Sequence, residues 1–360
     1  MSKTILILDS SQIDTFLTCP TQWYYSYKRR LIPNNARENT PMDMGTYGHK
    51  LLEIIYKERA KGNDKNALDV AFTYDIDKET CRCAHGQETH GYKKLTRKEI
   101  PELDCISEET IGACQSIGCT CKGFEPIEFP LSAPDRAFVR NRVLDYTFVE
   151  GIGIPELIPT SPEHVEVGFS HKLYEDENRL YILEGRIDLL GQIANNCTDG
   201  WADHKFQSRE RDLYLKSIQF RNYSMVTGLS IGVVNYIRFA KKVEKDKTFK
   251  RSIISFSRLE IEAWRQNLIR IYSRIENALT FLQEVPIDKR WYSAITYLQE
   301  ASDDKQWYQE DDTLRNRAAC SGKFGYPCDY TQLCENFFAP DLIKIYESSE
   351  YKQKPEWRPW

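Results

Sequence analysis

The stretch from Tyr181 to Lys205, YILEGRIDLLGQIANNCTDGWADHK, constrains the fold more than any other part of the chain. Its first half alternates apolar and polar residues with the period of two that marks a strand. Tyr181, Leu183, Ile187 and Leu189 are expected on one face, against a core, with Glu184, Arg186 and Asp188 on the other. Asn195, Asn196, Asp199 and Gly200 supply turn chemistry. A return strand then sets Asp203 and Lys205 on a shared face. Folded as a hairpin, the stretch gathers two carboxylates and an ammonium. Two acidic oxygens suit a hard divalent cation such as magnesium. A lysine beside them can orient a water and balance charge developing on a phosphate. Asp-x-Lys is a common tripeptide, and the same residues also read as an amphipathic hairpin with surface salt bridges.

A chain of 360 residues holds one large domain or two ordinary ones. A hydrophobic fraction of 41% supports a substantial core, yet no apolar run approaches the length of a membrane span. The N-terminal ILIL is too short for a signal peptide and is followed at once by Asp9. A cytoplasmic protein with no membrane partner is expected. The net charge of −4 confines any nucleic-acid surface to a local basic patch.

Eleven cysteines are a heavy load for a cytosolic chain, where thiols stay reduced and metal ligation is the better reading. Between residues 62 and about 130, charged and cysteine-rich segments replace apolar periodicity. There Cys81, Cys83, His85 and His90, followed by Cys114, Cys119 and Cys121, offer five thiolates and two imidazoles. Four of these suffice for a tetrahedral structural zinc, and metal binding would hold together a segment too short to form its own core. Near the C-terminus, Cys320, Cys328 and Cys334 lack a fourth nearby ligand, and Cys19 is the candidate. Four thiolates suit an iron–sulfur cluster, and the same four sulfurs equally suit zinc.

The remaining landmarks are helical. Ser11-x-x-Asp14 has the form of a capping signal ahead of Ile13, Phe16 and Leu17, and Pro20 can open a following helix bearing Trp23, Tyr24, Tyr25 and Tyr27. Those aromatics read as core, and the Lys28, Arg29 and Arg30 triplet after them reads as a solvated end or a nucleic-acid contact. Gly45-x-x-Gly48-His49 leads into a helix buried through Leu51, Leu52, Ile54 and Ile55. From that helix His49 offers a further ligand to the ion at Asp188 and Asp203 if it packs across the hairpin. A helix is also expected in RAFVRNRVLDYTF, and a strand around Val165 to Phe169, whose Glu166 could lie near the site, although the sequence leaves the pairing of that strand open. In a helix from Leu213 to Thr227, Gln219 and Tyr223 share a face and can present an amide and a phenol to a phosphate or base. A β-like run, SIGVVNYIRFAKK, and a long amphipathic helix from Ser257 to about Gln283 follow.

In this order, Cys19-Pro20, Gly45 to His49, Gly185 to Asp188, Asp203-x-Lys205, Gln219-x3-Tyr223 and Cys320, Cys328, Cys334 resemble the RecB-like iron–sulfur branch of the PD-(D/E)XK nuclease superfamily. That branch includes CRISPR-adaptation exonucleases and AddB-type subunits. The seven-residue gap after Cys320 is longer than is common there. The resemblance implies an α/β, restriction-endonuclease-like core, a mixed central sheet flanked by helices, with the Cys/His module inserted and a C-terminal iron–sulfur segment. The expected division is a core of residues 1–61 and 146–340, an insertion of 62–145 and a tail of 341–360. The resemblance further implies that His49, Asp188 and Asp203 bind Mg2+ or Mn2+, that Lys205 assists the attacking water, and that Gln219 and Tyr223 help position the strand. Cys19, Cys320, Cys328 and Cys334 would hold a [4Fe–4S] cluster. The expected activity is metal-dependent cleavage of DNA, by an exonuclease acting on single strands or ends, with partners in a recombination or CRISPR-type complex. A non-catalytic DNA-binding subunit and an RNA-directed nuclease are the competing readings. No GxxxxGK[ST] motor motif occurs.

Overall fold

A computed structural model describes residues 3–34, 40–74, 131–148, 156–193, 198–207, 217–240, 248–284, 328–330, 333 and 350–353. Cys81, Cys83, His85, His90, Cys114, Cys119, Cys121, Cys320 and Cys334 lie outside these residues. No described helix is long and apolar enough to cross a membrane.

Three elements open the chain: strand β1 (Thr4–Asp9), helix α1 (Ser10–Thr18) and helix α2 (Pro20–Trp23), which runs on in wider π turns through Tyr24–Lys28. The cap of α1 is Asp9, whose Oδ1 accepts from the Gln12 amide at 2.7 Å, so the helix starts before the expected Ser11-x-x-Asp14 signal. Pro20 occupies the first turn of α2, where its missing N–H costs nothing. After β2 (Leu31–Pro33) come α3 (Thr40–Ala60), α4 (Ala67–Thr73) and α5 (Ala133–Thr147). Although α4 and most of α5 fall within the expected insertion of 62–145, Ala67, Ala71, Val139 and Val143 are buried in one cluster with Leu51, Leu52 and Ile55 of α3.

The next strands are β3 (Leu157–Ile158), β4 (Val165–Glu175), β5 (Arg179–Ile193) and β6 (Thr198–Gln207). Helix α6 (Ile218–Thr227) links β6 to β7 (Ile231–Arg238), which is followed by β8 (Phe249–Ser255), α7 (Arg258–Glu284) and β9 (Tyr351–Gln353). The described part of α6 begins at Ile218, with Ser217 as its cap. A reciprocal capping box starts α7: Ser257 Oγ accepts from the Glu260 amide, and Glu260 Oε2 accepts from the Ser257 amide.

The described sheet is mixed. Its order is β1-β5-β6-β7-β8, with β3 and β4 also paired to β5. Both β4–β5 and β5–β6 are antiparallel, whereas β1–β5 and β6–β7 are parallel. Neighbouring residues of β6 separate the two faces. Ala202 packs with α3, α4 and α5, whereas Trp201 packs with Phe220 and Tyr223 of α6. Helices α1 and α7 cover the part of the sheet near Tyr181 and Leu183. Helices thus flank both faces, consistent with the restriction-endonuclease-like fold class.

Two details of the hairpin differ from the alternation and turn read in the sequence. Asp199 and Gly200 belong to β6 rather than to the turn, paired with Gln192 and Gly191. Leu189 packs with Val165 and Ala202 on the α3 side, while Ile187 packs on the α6 side. The alternation reverses there, as it does between Val165 and Val167 on β4, and Glu166 between them has a positive φ of 56°.

Residues 328–330 and 333 dock on the first helices. Tyr330 stacks on Tyr25 with centroids 5.6 Å apart, and its hydroxyl donates to the Leu31 carbonyl at 2.7 Å. Tyr330→Ala should lower the unfolding free energy by about 3 kcal/mol, read as a reduced urea midpoint.

Candidate metal centre

Strand β5 changes neighbours along one side. Its residues 179–184 pair with β1 and 189–193 pair with β6, so Gly185, Arg186, Ile187 and Asp188 fall between the two ladders. Backbone groups left in such a gap need other partners. Tyr223 donates its hydroxyl to the Arg186 carbonyl at 2.7 Å, and Asp188 Oδ2 accepts the His204 amide at 2.7 Å. On the opposite edge of β5, Gly185 leaves room for the ring of its β4 partner Phe169, because a Cβ there would lie 2.5 Å from that ring.

Helix α3 brings His49 to this place. A Cβ on Gly48 would lie 2.7 Å from atoms of the Phe206 ring, so the glycine lets α3 approach β6 closely. His49 packs edge-on against Phe206 with centroids 5.0 Å apart, and its Nδ1 lies 3.3 Å from Asp188 Oδ2. Opposite Asp188, in the register set by Val165↔Leu189 and Val167↔Ile187, stands Glu166. Ligand atoms of His49, Glu166 and Asp188 all lie within 4.8 Å of one another. Two carboxylates and an imidazole form a donor set that suits a small divalent cation.

Asp203 and Lys205 approach from β6, on the side of α6. Lys205 Nζ lies 2.7 Å from Asp203 Oδ2 and donates to Gln219 Oε1 at 2.8 Å. Gln219 Nε2 donates to the Tyr223 hydroxyl at 2.5 Å, and that hydroxyl also lies 3.3 Å from Asp203 Oδ1. The polar ends of Gln219 and Tyr223 are therefore engaged within the protein, holding Lys205 and the open edge of β5. Tyr223 is buried, as is Asp203.

The charges oppose one another. Burial and then the Asp188 charge push Glu166 well above the usual carboxylate range, against the pull of Arg186. Burial pushes Asp203 up to about 6, with Lys205 pulling down and Asp188 adding to the rise. Burial works the same way on Asp188, yet His49, the His204 hydrogen bond and Lys205 together hold it below its ordinary value. Burial lowers the His49 imidazole, favouring the neutral form that ligates metals. A cation would relieve the crowding of negative charge that burial here makes costly.

Behind Asp188 lies a buried polar layer that the sequence did not point to. His204 Nδ1 is 3.5 Å from Asp188 Oδ2, and its Nε2 is 3.4 Å from the Tyr56 hydroxyl and 3.3 Å from Asn235 Nδ2. Tyr56 donates to Glu156 at 2.5 Å, and Arg251 donates to Asn235 Oδ1 at 2.6 Å. Groups of this kind orient a ligating carboxylate. His204 sits inside the Asp-x-Lys tripeptide, and only its burial between helices and strands reveals the role.

Residues 10–110 match the PD-(D/E)XK nuclease superfamily. The matched residues carry His49 and Cys19, while Asp188, Asp203 and Lys205 follow downstream. PD-(D/E)XK nucleases use divalent metals, and the His49, Glu166 and Asp188 group is chemically suited to one. No curated protein matches the chain. Among solved structures, the crystal structure of SSO0001 aligns at 17% identity over 30% of this chain and 49% of its own, with a TM-score of 0.22. The chain thus spans about half the length of that protein, and a likeness of this extent carries no weight for the site.

Two outcomes test the geometry. Gly48→Ala should destabilise the protein by about 1–3 kcal/mol through overpacking against Phe206, measured by urea unfolding. In metal-free protein, folded Asp203 binds its proton more tightly than the unfolded chain does, so stability is highest below about pH 4 on its account. Its share of stability should fall as pH rises from about 4 to about 6, and Asp203→Asn should flatten the fall in chelator-treated samples.

Proposed function

We propose that the chain is a divalent-metal-dependent deoxyribonuclease that cleaves single-stranded DNA or DNA ends as an exonuclease. The observation that carries this reading is the contact of His49 with Asp188 on β5 and of Lys205 with Asp203 on the neighbouring β6, in a chain whose residues 10–110 match a nuclease superfamily. His49 and Asp188, with Asp203 beside them, would hold Mg2+ or Mn2+. When bound, such an ion polarises a phosphoryl oxygen and acidifies a water.

The protein's own groups do the rest. Lys205, held by Asp203 and Gln219, presents an ammonium to the attacking water and to charge developing on the phosphate. Tyr223 locks Gln219 and the Arg186 carbonyl, so the lysine does not need to reorganise during reaction. His204 keeps the Asp188 carboxylate turned into the site.

The RecB-like iron–sulfur assignment belongs to the same proposal. Cys19 caps α2, and Cys328 packs against the cluster that contains Phe16, Trp23 and Tyr25. Docking of Cys328, Tyr330 and Leu333 beside the helices that flank Cys19 supports a shared centre with Cys320 and Cys334. Chemical analysis of anaerobically purified protein should find iron and sulfide, lost together in Cys328→Ala, and zinc held by four of the Cys/His positions between Cys81 and Cys121. The proposed setting is an intracellular recombination, repair or CRISPR-type complex.

Lys205→Ala and Asp188→Ala should each lower magnesium-dependent digestion of end-labelled single-stranded DNA by at least about 100-fold, with circular dichroism unchanged. Undiminished cleavage by either purified variant would refute the catalytic assignment. Digestion of RNA in preference to DNA would redirect the substrate.

A further inference from the structure

We infer that Glu166 is a protein ligand of the divalent ion, joining His49 and Asp188 from a third element of the fold. The inference rests on the metal-dependent reading above and adds a donor from β4, outside the hairpin and the helix that supply the others.

Three independent features single Glu166 out. It stands across from Asp188 in an unshifted stretch of the β4–β5 register, which fixes the two carboxylates as cross-strand neighbours. Its carboxylate comes within 4.8 Å of ligand atoms on both His49 and Asp188. Its backbone φ is 56°, a conformation that is uncommon for a residue with a long side chain and persists only where the surroundings enforce it. The kink matters because it coincides with the reversal of alternation on β4. Val165 faces α3 and Val167 faces α6, and Glu166 between them meets His49.

A structural salt bridge to Arg186 is the alternative role. Arg186 Nη1 lies 3.6 Å from Glu166 Oε2, and its side chain is 40% exposed while that of Glu166 is 15% exposed. A loose pair with a solvated guanidinium contributes little and offers no reason to hold an acid at positive φ against a second acid. A divalent cation would give the two facing carboxylates and the imidazole a common partner, and the set of one nitrogen and two oxygens suits Mn2+ and Mg2+.

The test is Mn2+ affinity of the full chain at pH 7.5, read from the free Mn2+ electron paramagnetic resonance signal. Glu166→Asn and Glu166→Gly both tolerate positive φ, so each removes the carboxylate while keeping the kink. Both should weaken Mn2+ binding at least tenfold, as should Asp188→Asn. Glu184→Gln, which removes equal charge two pairs beyond Arg186 on the same ladder, should stay within twofold. In the unmutated chain, saturating Mn2+ should protect Glu166 from carbodiimide labelling, read by mass spectrometry. A loss smaller than tenfold in both Glu166 variants, or labelling unchanged by Mn2+, overturns the ligand assignment while leaving the nuclease reading standing. An unmutated chain that binds no Mn2+ overturns both.

Discussion

The hydrogen bond from Tyr223 to the Arg186 carbonyl closes the place where β5 leaves β1 and has not yet met β6. A gap of that kind in the middle of a sheet would leave backbone groups without partners, at a cost comparable to a lost hydrogen bond for each. Here the partners are side chains of the site. Tyr223 serves Arg186, and Asp188 takes the amide of His204. The bonds that make the interrupted sheet stable are the same bonds that hold the carboxylates and Lys205 in place. Geometry and stability are therefore coupled at this point.

The electrostatics carry the same double character. Glu166, Asp188 and Asp203 come from three strands, and burial drives Glu166 and Asp203 towards protonation. Lys205 offsets part of the penalty on Asp203 through its short contact, and Arg186 pulls against the rise at Glu166. An arrangement that is costly for the protein alone would become favourable with the cation proposed above. The buried layer of His204, Tyr56, Asn235 and Arg251 extends the order backward into the sheet, so that Asp188 is held from behind as well as from His49.

Much of the frame was legible from local pattern. The alternation from Tyr181 to Ile187 places Tyr181, Leu183 and Ile187 in buried clusters. The Gly45-x-x-Gly48-His49 helix does pack across the hairpin, because Gly48 admits the Phe206 ring. Long-helix periodicity located α7, and its Ser257–Glu260 box follows from local chemistry. Other features were not legible. Asp9 caps α1 because β1 ends there and delivers the carboxylate to the helix, which a reading that began at Ser11 did not include. Leu189 leaves the face of Ile187 because the strand's alternation reverses beside Glu166, and no one-dimensional period contains such a reversal.

By itself the sequence determined which side chains were available: an acid-rich hairpin, a histidine at the head of a helix, a lysine two residues past an aspartate, and cysteines in two groups. Local periodicity and spacing set these, because they depend on contacts within a strand or a turn of helix. Only the tertiary structure decided that Glu166 faces His49 and Asp188, and that Gln219 and Tyr223 turn inward to hold Lys205 and the edge of β5. These outcomes depend on cross-strand register, on the divergence of β1 and β6, and on how closely α3 and α6 approach from opposite faces. Such distances arise from packing between segments far apart in the chain, and no single segment carries them.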